Sequence, residues 1–450
     1  MKLYHIDDFL SKDSPCMMID GDRYINRTEF LEDVTALAFR LHTISAQRIA
    51  LCFTSAYRFS VAFFASLSVG KTPVLLPNNL AGTISALSAE YDLVVSEDTD
   101  LLTLSNGGTI KASDDFKLAE LRAEQPFIIF SSGSSGQPKQ INRTLGVQLN
   151  EINALSQTFE PLNELVLTTV SHQHLYGLLF SLLWPMLAGS TIYLTAVLYP
   201  EDLIKIRQQQ QKAVTLISSP AFLSRLSNLT RLTMRSNGDL MQIFSSGGLL
   251  KAKAEQTVYG FFQTDIIEIF GSSETGILAW RRRRKAKKWQ PFKDVNFVVK
   301  SKQLCVSSPY FEARFQPMAD RIRRYRCGGF TLLGRVDRIV KIEDKRLSLA
   351  QLEKRLEAID EVDHCYALTM EAHRQYSAAV IVLSKEGWQR LAQMGTNRFN
   401  RHLRDWLSAY FDRIVVPRRF RYVEQLPVNT QGKLQLSQVK ALFEKQEEDR

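Results

Sequence analysis

The first hundred residues alternate short apolar runs with segments whose apolar positions recur every three or four residues. The runs at 48–53 and 72–76 are typical of buried strands. A helix is predicted directly after Asn26, because the apolar residues that follow it have helical spacing: Phe30, Val34, Ala38 and Leu41. Strands that alternate with helices of this size predict an α/β architecture with a largely parallel sheet.

Further along the chain, several apolar runs of strand type end in small or polar residues. They lie at 127–130, 166–170, 212–220, 239–249 and 266–270. An open α/β sheet offers a nucleotide a crevice at the carboxyl ends of its strands, so these loops are candidates for one binding edge. The last hundred residues alternate helix and strand patterns on a smaller scale, which predicts a separate compact α+β unit.

Composition sets limits on the class of protein. With 450 residues, 45% hydrophobic and 23% charged, we expect two or more cores in a globular protein. No apolar run approaches a membrane-spanning length, and the best, at 178–187, is broken by Pro185. The N-terminus has acidic residues where a secretory signal is apolar. The five scattered cysteines are typical of reduced thiols, so we predict a cytoplasmic protein.

The net charge of +10 favours polyanionic partners in general. Nucleic acid, nucleotides, the phosphates of coenzyme A and an acidic carrier protein are all compatible with it. The densest basic run, at 281–288, is typical of a solvated loop. Two other interpretations stay open: a nucleic-acid patch, for which no aromatic-rich binding module is found, and a docking surface for coenzyme A or an acidic acyl carrier protein.

The loop at 131–139 is the clearest candidate for a phosphate site. Glycines let backbone N–H groups converge on an anion, serine hydroxyls add donors, and Lys139 adds a cation. A Walker P-loop is excluded because Pro138 precedes Lys139 and no Gly-Lys-Ser/Thr ending follows. A Ser/Gly linker is the alternative. The candidate phosphate-binding residues are Ser131, Ser132, Gly133, Ser134, Ser135, Gly136 and Lys139.

This loop resembles the phosphate loop of the adenylate-forming superfamily, which includes acyl-CoA synthetases, aryl-CoA ligases and peptide-synthetase adenylation domains. Residues 131–139 match the family's Ser/Thr-Ser-Gly-Ser/Thr-Thr/Ser-Gly-x-Pro-Lys, and Gln140 replaces its closing Gly. The resemblance implies a large α/β N-terminal domain at 1–335, which binds ATP and the acyl substrate. It also implies a small mobile α+β C-terminal domain at 336–450, which acts as a lid.

Two further motifs resemble the family's nucleotide site. Residues 246–248 read Ser-Gly-Gly, and 270–274 resemble its Tyr-Gly-x-Thr-Glu. The resemblance implies that Gly247 and Gly248 lie against adenine and that Phe270 covers it. It also implies phosphate contacts from Gly271, Ser272 and Ser273, and a Mg²⁺ ligand in Glu274, whose carboxylate is a hard oxygen donor.

Motifs nearer the C-terminus complete the resemblance. Asp320 stands where the family holds the ribose, and Arg335 in Gly-Arg-Val-Asp would contact ribose or phosphate. Asp337 would be the hinge of the small domain. The closing Leu-Pro-x-Asn-x-x-Gly-Lys pattern gives Lys433 the role of catalytic lysine.

The segment at 171–177 contains two histidines at i and i+2. They are candidates for a metal pair or for packing against a helix start, and no carboxylate or cysteine stands near them in sequence. In the family, this segment lines the acyl pocket. The resemblance assigns His174, Tyr176 and Gly177 to that pocket, and His172 does not match.

Together the motifs imply ATP- and Mg²⁺-dependent activation of an aryl or fatty acid to an acyl-adenylate. The acyl group would then pass to a thiol, that of coenzyme A or of phosphopantetheine on an acyl carrier protein. A non-catalytic homologue that binds nucleotide or acyl-adenylate is the alternative, motivated by Gln140, Ala319 and Asp344. Nucleic-acid binding through 281–288 would be recognised by a steep dependence on salt.

Overall fold

A computed structural model describes most of the chain. The described residues are 3, 4, 6, 10, 17–99, 116–132, 138–226, 241–248, 250, 252–300, 303–311, 315–326, 328–335, 338–372, 374–427 and 436–444. Their contacts divide the chain into two compact units. The larger unit is residues 1–79, 86–131 and 140–336, and the smaller unit is residues 80–85, 132–139 and 337–450.

The first 336 residues contain both strands and helices. The strands are β1 (Leu3–Tyr4), β2 (Met18–Asp20), β3 (Arg23–Ile25), β4 (Arg48–Cys52), β5 (Thr72–Leu75), β6 (Leu93–Ser96), β7 (Leu121–Arg122), β8 (Pro126–Ser132), β9 (Pro138–Thr144), β10 (Leu165–Thr168), β11 (Thr191–Tyr193), β12 (Val214–Ser218), β13 (Met241–Ser245), β14 (Ile266–Ser272), β15 (Gly276–Arg282), β16 (Gln290–Pro291), β17 (Asn296–Lys300), β18 (Gln303–Ser307), β19 (Gln316–Pro317), β20 (Asp320–Arg324) and β21 (Phe330–Arg335).

Helices connect many of these strands. They are α1 (Arg27–His42), α2 (Ala56–Ser68), α3 (Ala81–Ala86), α4 (Leu145–Thr158), α5 (Leu175–Gly177), α6 (Trp184–Ala188), α7 (Pro200–Gln210), α8 (Pro220–Arg225) and α9 (Ala252–Phe262). A 3₁₀ turn lies at Ser88–Glu90, and a π-helical segment, Leu178–Leu183, joins α5 to α6.

A nine-stranded sheet forms the centre of the larger unit. Its order is β16-β15-β14-β13-β12-β10-β11-β2-β3. The six strands from β14 to β2 are parallel, and β15, β16 and β3 add antiparallel edges. Their apolar residues are buried on both faces, as parallel sheets require. The predicted α/β architecture with a largely parallel sheet is therefore confirmed.

A second sheet in this part of the chain has the order β6-β4-β5-β8-β9. Strands β6, β4, β5 and β8 are parallel. Helix α1 begins where the sequence predicts, because the side chain of Asn26 accepts a hydrogen bond from the N–H of Glu29 at 2.9 Å. The predicted apolar positions of α1 are all buried: Phe30, Val34, Ala38 and Leu41.

The smaller unit has its own core. Its elements are β22 (Ile339–Ile342), β23 (Lys345–Ser348), α10 (Leu349–Leu356), β24 (Val362–Glu371), β25 (Gln375–Leu383), α11 (Lys385–Met394), α12 (Thr396–Ser408), β26 (Arg419–Val423) and α13 (Leu436–Glu444). Strands β24, β25 and β26 form one sheet, and α10 and α12 bury apolar residues beneath it. This arrangement confirms the predicted small α+β fold. Within the described ranges, no helix is long and apolar enough to cross a membrane.

Candidate functional site

Four neighbouring parallel strands, β10, β12, β13 and β14, end at one edge of the central sheet. Hydrogen bonds join these ends. The hydroxyls of Thr169 and Ser218 lie 3.1 Å apart, and the N–H of Ser246 donates to the carbonyl of Ser218 at 3.3 Å. The Ser246 hydroxyl donates to the carbonyl of Ile269 at 3.0 Å. The loops after these strands therefore form one continuous edge of hydroxyl and backbone groups, where open α/β sheets bind ligands.

The turn after β14 carries Ser273 and Glu274, both partly buried. The pairing of β14 with β15 shifts register between Phe270 and Gly271, a bulge that redirects the strand as it reaches the edge. Thr275 holds the turn closed, since its hydroxyl accepts from the N–H of Ser272 at 3.2 Å. A Cβ at Gly271 would lie 2.1 Å from the carbonyl oxygen of Gly276, so the two ends of the turn require a glycine at 271.

A buried ion pair contacts the backbone directly after this turn. The Arg143 guanidinium contacts the Glu151 carboxylate at 2.6 Å, and the two side chains are 2% and 0% exposed. Glu151 also accepts from the N–H of Ile277 at 2.7 Å, and Arg143 donates to the carbonyl of Tyr310 at 2.8 Å. Burial raises the pKa of the Glu151 carboxyl, while Arg143 and the N–H of Ile277 lower it.

Aromatic rings fix the position of Phe270 just before the turn. Its ring centroid lies 5.6 Å from that of Trp289 and 5.9 Å from that of Phe330. The side chain is partly buried at the edge where β13 and β14 end. A partly exposed aromatic face at this place is suited to a planar base.

Gly247 and Gly248 follow β13 at the same edge. Gly247 has φ +95°, a left-handed conformation that glycine adopts without strain, and a Cβ there would meet nothing within 4 Å. The backbone at Gly247 therefore faces open space, into which a ligand can approach closely.

The two histidines of the segment after β10 lie in different environments. His172 is buried, with its Nε2 atom 3.3 Å from the carbonyl oxygen of Phe53 and its ring 4.6 Å from that of Phe59. Burial lowers the pKa of His172 to about 4, so the ring is neutral at pH 7. His174 is exposed and precedes α5. The packing interpretation thus holds for His172, whereas His174 is not buried with it.

The other residues of this segment lie close to the end of β10. A Cβ at Gly177 would lie 2.0 Å from the carbonyl oxygen of Ser171, so α5 packs directly against the loop. The partly buried ring of Tyr176 contacts that of Phe180, with centroids 4.7 Å apart. These contacts give the segment an apolar wall beside the strand ends.

Asp320 and Arg335 are opposite each other in the hairpin of β20 and β21. The register alone brings these two predicted ribose contacts together, although they are fifteen positions apart in sequence. Asp320 is partly buried, and Lys139 is exposed on β9. Of Ser131, Ser132 and Arg335, the structure describes the strand positions and not the side chains. Residues 133–136, Asp337 and Lys433 lie outside the described residues.

The basic run at 281–288 begins at the end of β15 and continues as a turn, in which Arg284, Lys285 and Lys287 are exposed, so the predicted solvated loop holds for part of the run. Arg281 is directly opposite Glu268 across β14 and β15, and its guanidinium forms a buried bidentate ion pair with that carboxylate at 2.7 and 2.8 Å. Arg284 contacts Asp265 at 2.9 Å and lies over the ring of Tyr259. The charge of Arg281 is therefore used in the interior of the larger unit, which weakens the docking interpretation at that residue, whereas Arg284, Lys285 and Lys287 are exposed.

Sequence reasoning missed Arg143, Glu151 and Thr275. One signal was present in α4, where two polar residues, Gln148 and Glu151, stand in an otherwise apolar stripe at helical spacing. The structure buries this stripe: Leu145, Gln148, Glu151, Ile152 and Leu155. A carboxylate on a buried stripe needs a partner, so the pattern indicates an ion pair without identifying Arg143. In the described ranges, no three His, Cys, Asp or Glu side chains come together as metal ligands do.

Comparison with known proteins gives one family. The model of the AMP-binding enzyme family matches residues 87–309. The 4-coumarate–CoA ligase of Cereibacter sphaeroides is 25% identical over 228 residues, which are 50% of this chain and 52% of that protein. The matched part thus spans about half the length of this relative.

Solved structures with the same fold include the following two. The o-succinylbenzoate CoA synthetase of Bacillus subtilis, bound to a product analogue, has a TM-score of 0.81 at 15% identity and covers 95% of this chain and 96% of its own. The amide bond synthetase of Marinactinospora thermotolerans has a TM-score of 0.80 at 15% identity, covering 97% and 99%. At this identity the likeness shows the fold alone.

Proposed function

This chain belongs to the adenylate-forming superfamily, and from that premise we propose that it activates a carboxylic acid with ATP. A carboxylate oxygen attacks the α-phosphorus, the bond from that phosphorus to the bridging oxygen of the β-phosphate breaks, and pyrophosphate leaves. In the second step a thiol sulfur attacks the acyl carbonyl, AMP leaves, and the thiol loses its proton. The observation that carries the proposal is the continuous edge formed by the ends of β10, β12, β13 and β14.

In this proposal the edge binds the nucleotide. The open backbone at Gly247 and the adjoining Gly248 would lie against adenine, and Phe270 would cover it. Asp320 and Arg335 would hold the ribose, since the hairpin register places them opposite each other. The serine loop and Lys139 would hold the β- and γ-phosphates, and Gly271, Ser272 and Ser273 would contact phosphate oxygens at the turn.

Glu274 is the proposed Mg²⁺ ligand. One carboxylate fits an ion that arrives on the phosphates of ATP, because Mg²⁺ keeps several waters and binds through one or two carboxylates plus phosphate oxygens. Mg²⁺, when bound, supplies positive charge to the phosphate oxygens. The chain's own part is to hold the carboxylate in place, which the buried support under the turn provides.

Lys433 is the proposed catalytic cation. Two anions meet in the first step, so a positive charge is needed where the carboxylate approaches the α-phosphate. We assign residues 1–335 to binding of ATP and the acyl substrate, and residues 336–450 to a lid that carries Lys433. Asp337 would be the hinge about which the lid rotates after the first step. The rotation would move Lys433 out of the site and let the thiol enter.

An aryl or fatty acid is the proposed substrate class. His174, Tyr176 and Gly177 would line the acyl pocket, where the ring of Tyr176 against Phe180 offers an apolar surface. The proposed acceptor is the thiol of coenzyme A or of phosphopantetheine on an acyl carrier protein. Relatives named as CoA ligase and CoA synthetase support a thiol, and the amide bond synthetase makes an amine the alternative to test.

The experiment is pyrophosphate release with ATP, Mg²⁺ and a panel of aryl and fatty acids. Each acid is assayed alone, with coenzyme A, with a phosphopantetheinylated carrier protein and with an amine. Glu274→Gln is the site variant, and Glu386→Gln, an exposed glutamate of α11, is the matched control. Acid-dependent release that falls only in Glu274→Gln supports the proposal.

The result against the proposal is also defined. ATP binding without pyrophosphate release from any acid would favour the non-catalytic alternative. The product formed in each acceptor arm, a thioester or an amide, identifies the acceptor class.

A further inference from the structure

A cavity of about 640 Å³ lies in the smaller unit, between helix α12 and the segment at 413–418 that leads into β26. One wall is a single stripe of α12, because its lining residues are spaced by three or four positions: Asn397, Arg401, Arg404 and Ser408. The opposite wall includes Arg413 and Arg418. The cavity shares no residue with the proposed adenylation site.

Arg404 connects the two walls by hydrogen bonds. Its guanidinium donates to the carbonyl of Pro417 at 3.1 Å and to that of Arg418 at 2.7 Å. The second wall is also tied to β25, since the N–H of Arg418 donates to the carbonyl of Ser377 at 2.9 Å. The cavity is therefore held in shape by the backbone of the unit.

The charge that lines this cavity is unbalanced. The lining includes four arginines and one acidic residue, Asp405, an excess of three positive charges among the lining residues. The guanidinium of one of them, Arg418, lies over the ring of Tyr376, which does not line the cavity. Within the described part of the chain, Arg401 and Arg413 have no hydrogen-bond or ion-pair partner. The nearby Asp412 does not line the cavity and contacts Lys345 at 3.1 Å instead. Like charges that share one concave site repel each other until an anion is bound.

We propose that this cavity binds a small molecule that carries at least two phosphate groups. Arginine suits phosphate better than lysine does, because its planar fork donates two parallel hydrogen bonds to phosphate oxygens. The volume is in the usual range of small-molecule sites, about 300–1,000 Å³, which favours a small ligand over a protein surface. Asn397 and Ser408 add neutral donors to the same wall. Arg401 and Arg413 are the anion-binding residues, and Arg404 is a positioning residue.

The test is equilibrium binding of pyrophosphate to the full chain at fixed ionic strength. The site variant is Arg401→Gln/Arg413→Gln, in which both changed residues are exposed and make no contact that folding needs. The matched control is Arg398→Gln/Lys385→Gln, which removes the same charge from exposed positions of α11 and α12 outside the cavity. We expect the site variant to lose one class of pyrophosphate sites, or to bind at that class about tenfold more weakly. The control should bind as the parent does.

Binding at the adenylation site is the same in all three proteins, so the difference between variant and control reports on the cavity. Equal isotherms in all three would overturn the proposal, and so would an equal loss in variant and control, which would indicate general charge attraction. Titration of the same three proteins with ATP and with coenzyme A then identifies which phosphorylated molecule is bound. Since the readout is binding, failure of the proposed ligase activity would leave this result unaffected.

Discussion

The Arg143 guanidinium and the Glu151 carboxylate, 2.6 Å apart and buried, tie helix α4 to the turn that carries Ser273 and Glu274. The second oxygen of Glu151 accepts from the N–H of Ile277, directly after that turn. A loop at a ligand-binding edge is usually among the less stable parts of a fold. Here a charged contact in the interior holds it in place.

Glu151→Gln is predicted to destabilise the protein strongly. It leaves the Arg143 charge buried without a counter-charge, and breaking a buried ion pair costs about 3–5 kcal/mol of unfolding free energy. Addition of Arg143→Met should recover much of this loss, because methionine removes the uncompensated charge while the amide oxygen of the introduced glutamine still accepts from the N–H of Ile277. Urea unfolding of both variants measures the two values.

An exposed pair in the same unit is the control. Asp265→Asn removes its contacts with Arg284 and Lys285, whose side chains are 40% and 66% exposed, and should cost about 1 kcal/mol or less. If Glu151→Gln and Asp265→Asn lost the same unfolding free energy, Glu151 would not hold the turn through a buried charge. A rise in the KM for Mg-ATP in Glu151→Gln alone would show that the turn positions Glu274.

Gly276→Ala and Gly247→Ala should separate packing from ligand access. Both glycines have positive φ, +66° and +95°, so alanine at either costs about 1–3 kcal/mol of backbone strain. At Gly276 the added Cβ would also lie 2.0 Å from Glu151 Oε1, whereas at Gly247 it meets nothing within 4 Å. We therefore expect Gly276→Ala to lose more stability and Gly247→Ala to lose more ATP affinity. Thermal unfolding and ATP titration of both variants check the order, and the reverse order would contradict it.

Short sequence patterns predicted many of the helices and strands. They did not predict the contacts between residues that lie far apart in the chain. Asn26 marked the start of α1 because an N-cap acts over three residues. The ends of β13 and β14, at Ser245 and Ser272, were also found, since small residues after an apolar run form a local pattern. Glu268 and Arg281, however, meet only through the pairing of β14 with β15, and Glu151 meets Ile277 across 126 positions. No short window of sequence contains both members of such a contact.

His172 should make the stability of the protein depend on pH. Burial lowers its pKa from 6.5 to about 4, so the unfolded chain binds more protons than the folded one between these values. The contribution of His172 to the unfolding free energy is then highest above pH 6.5 and falls as the pH drops, by about 3 kcal/mol down to pH 4. His172→Gln should flatten this slope, and His174→Gln, at an exposed position, should leave it unchanged. Urea unfolding from pH 7 to pH 5 compares the three proteins, and an identical slope in parent and His172→Gln would contradict the assignment.

Lys433→Ala is predicted to separate the two half-reactions. If Lys433 supplies the positive charge between the carboxylate and the α-phosphate, its loss removes a contact made in the transition state of adenylate formation. Such losses cost about a hundredfold to a thousandfold in kcat. The thioester step from a supplied acyl-adenylate needs no such charge and should proceed at the parent rate. Lys440→Ala, an exposed lysine of α13, is the matched control and should affect neither step. Pyrophosphate release and thioester formation are measured separately, and an equal fall in both would mean that Lys433 acts in folding or in binding rather than in the first chemical step.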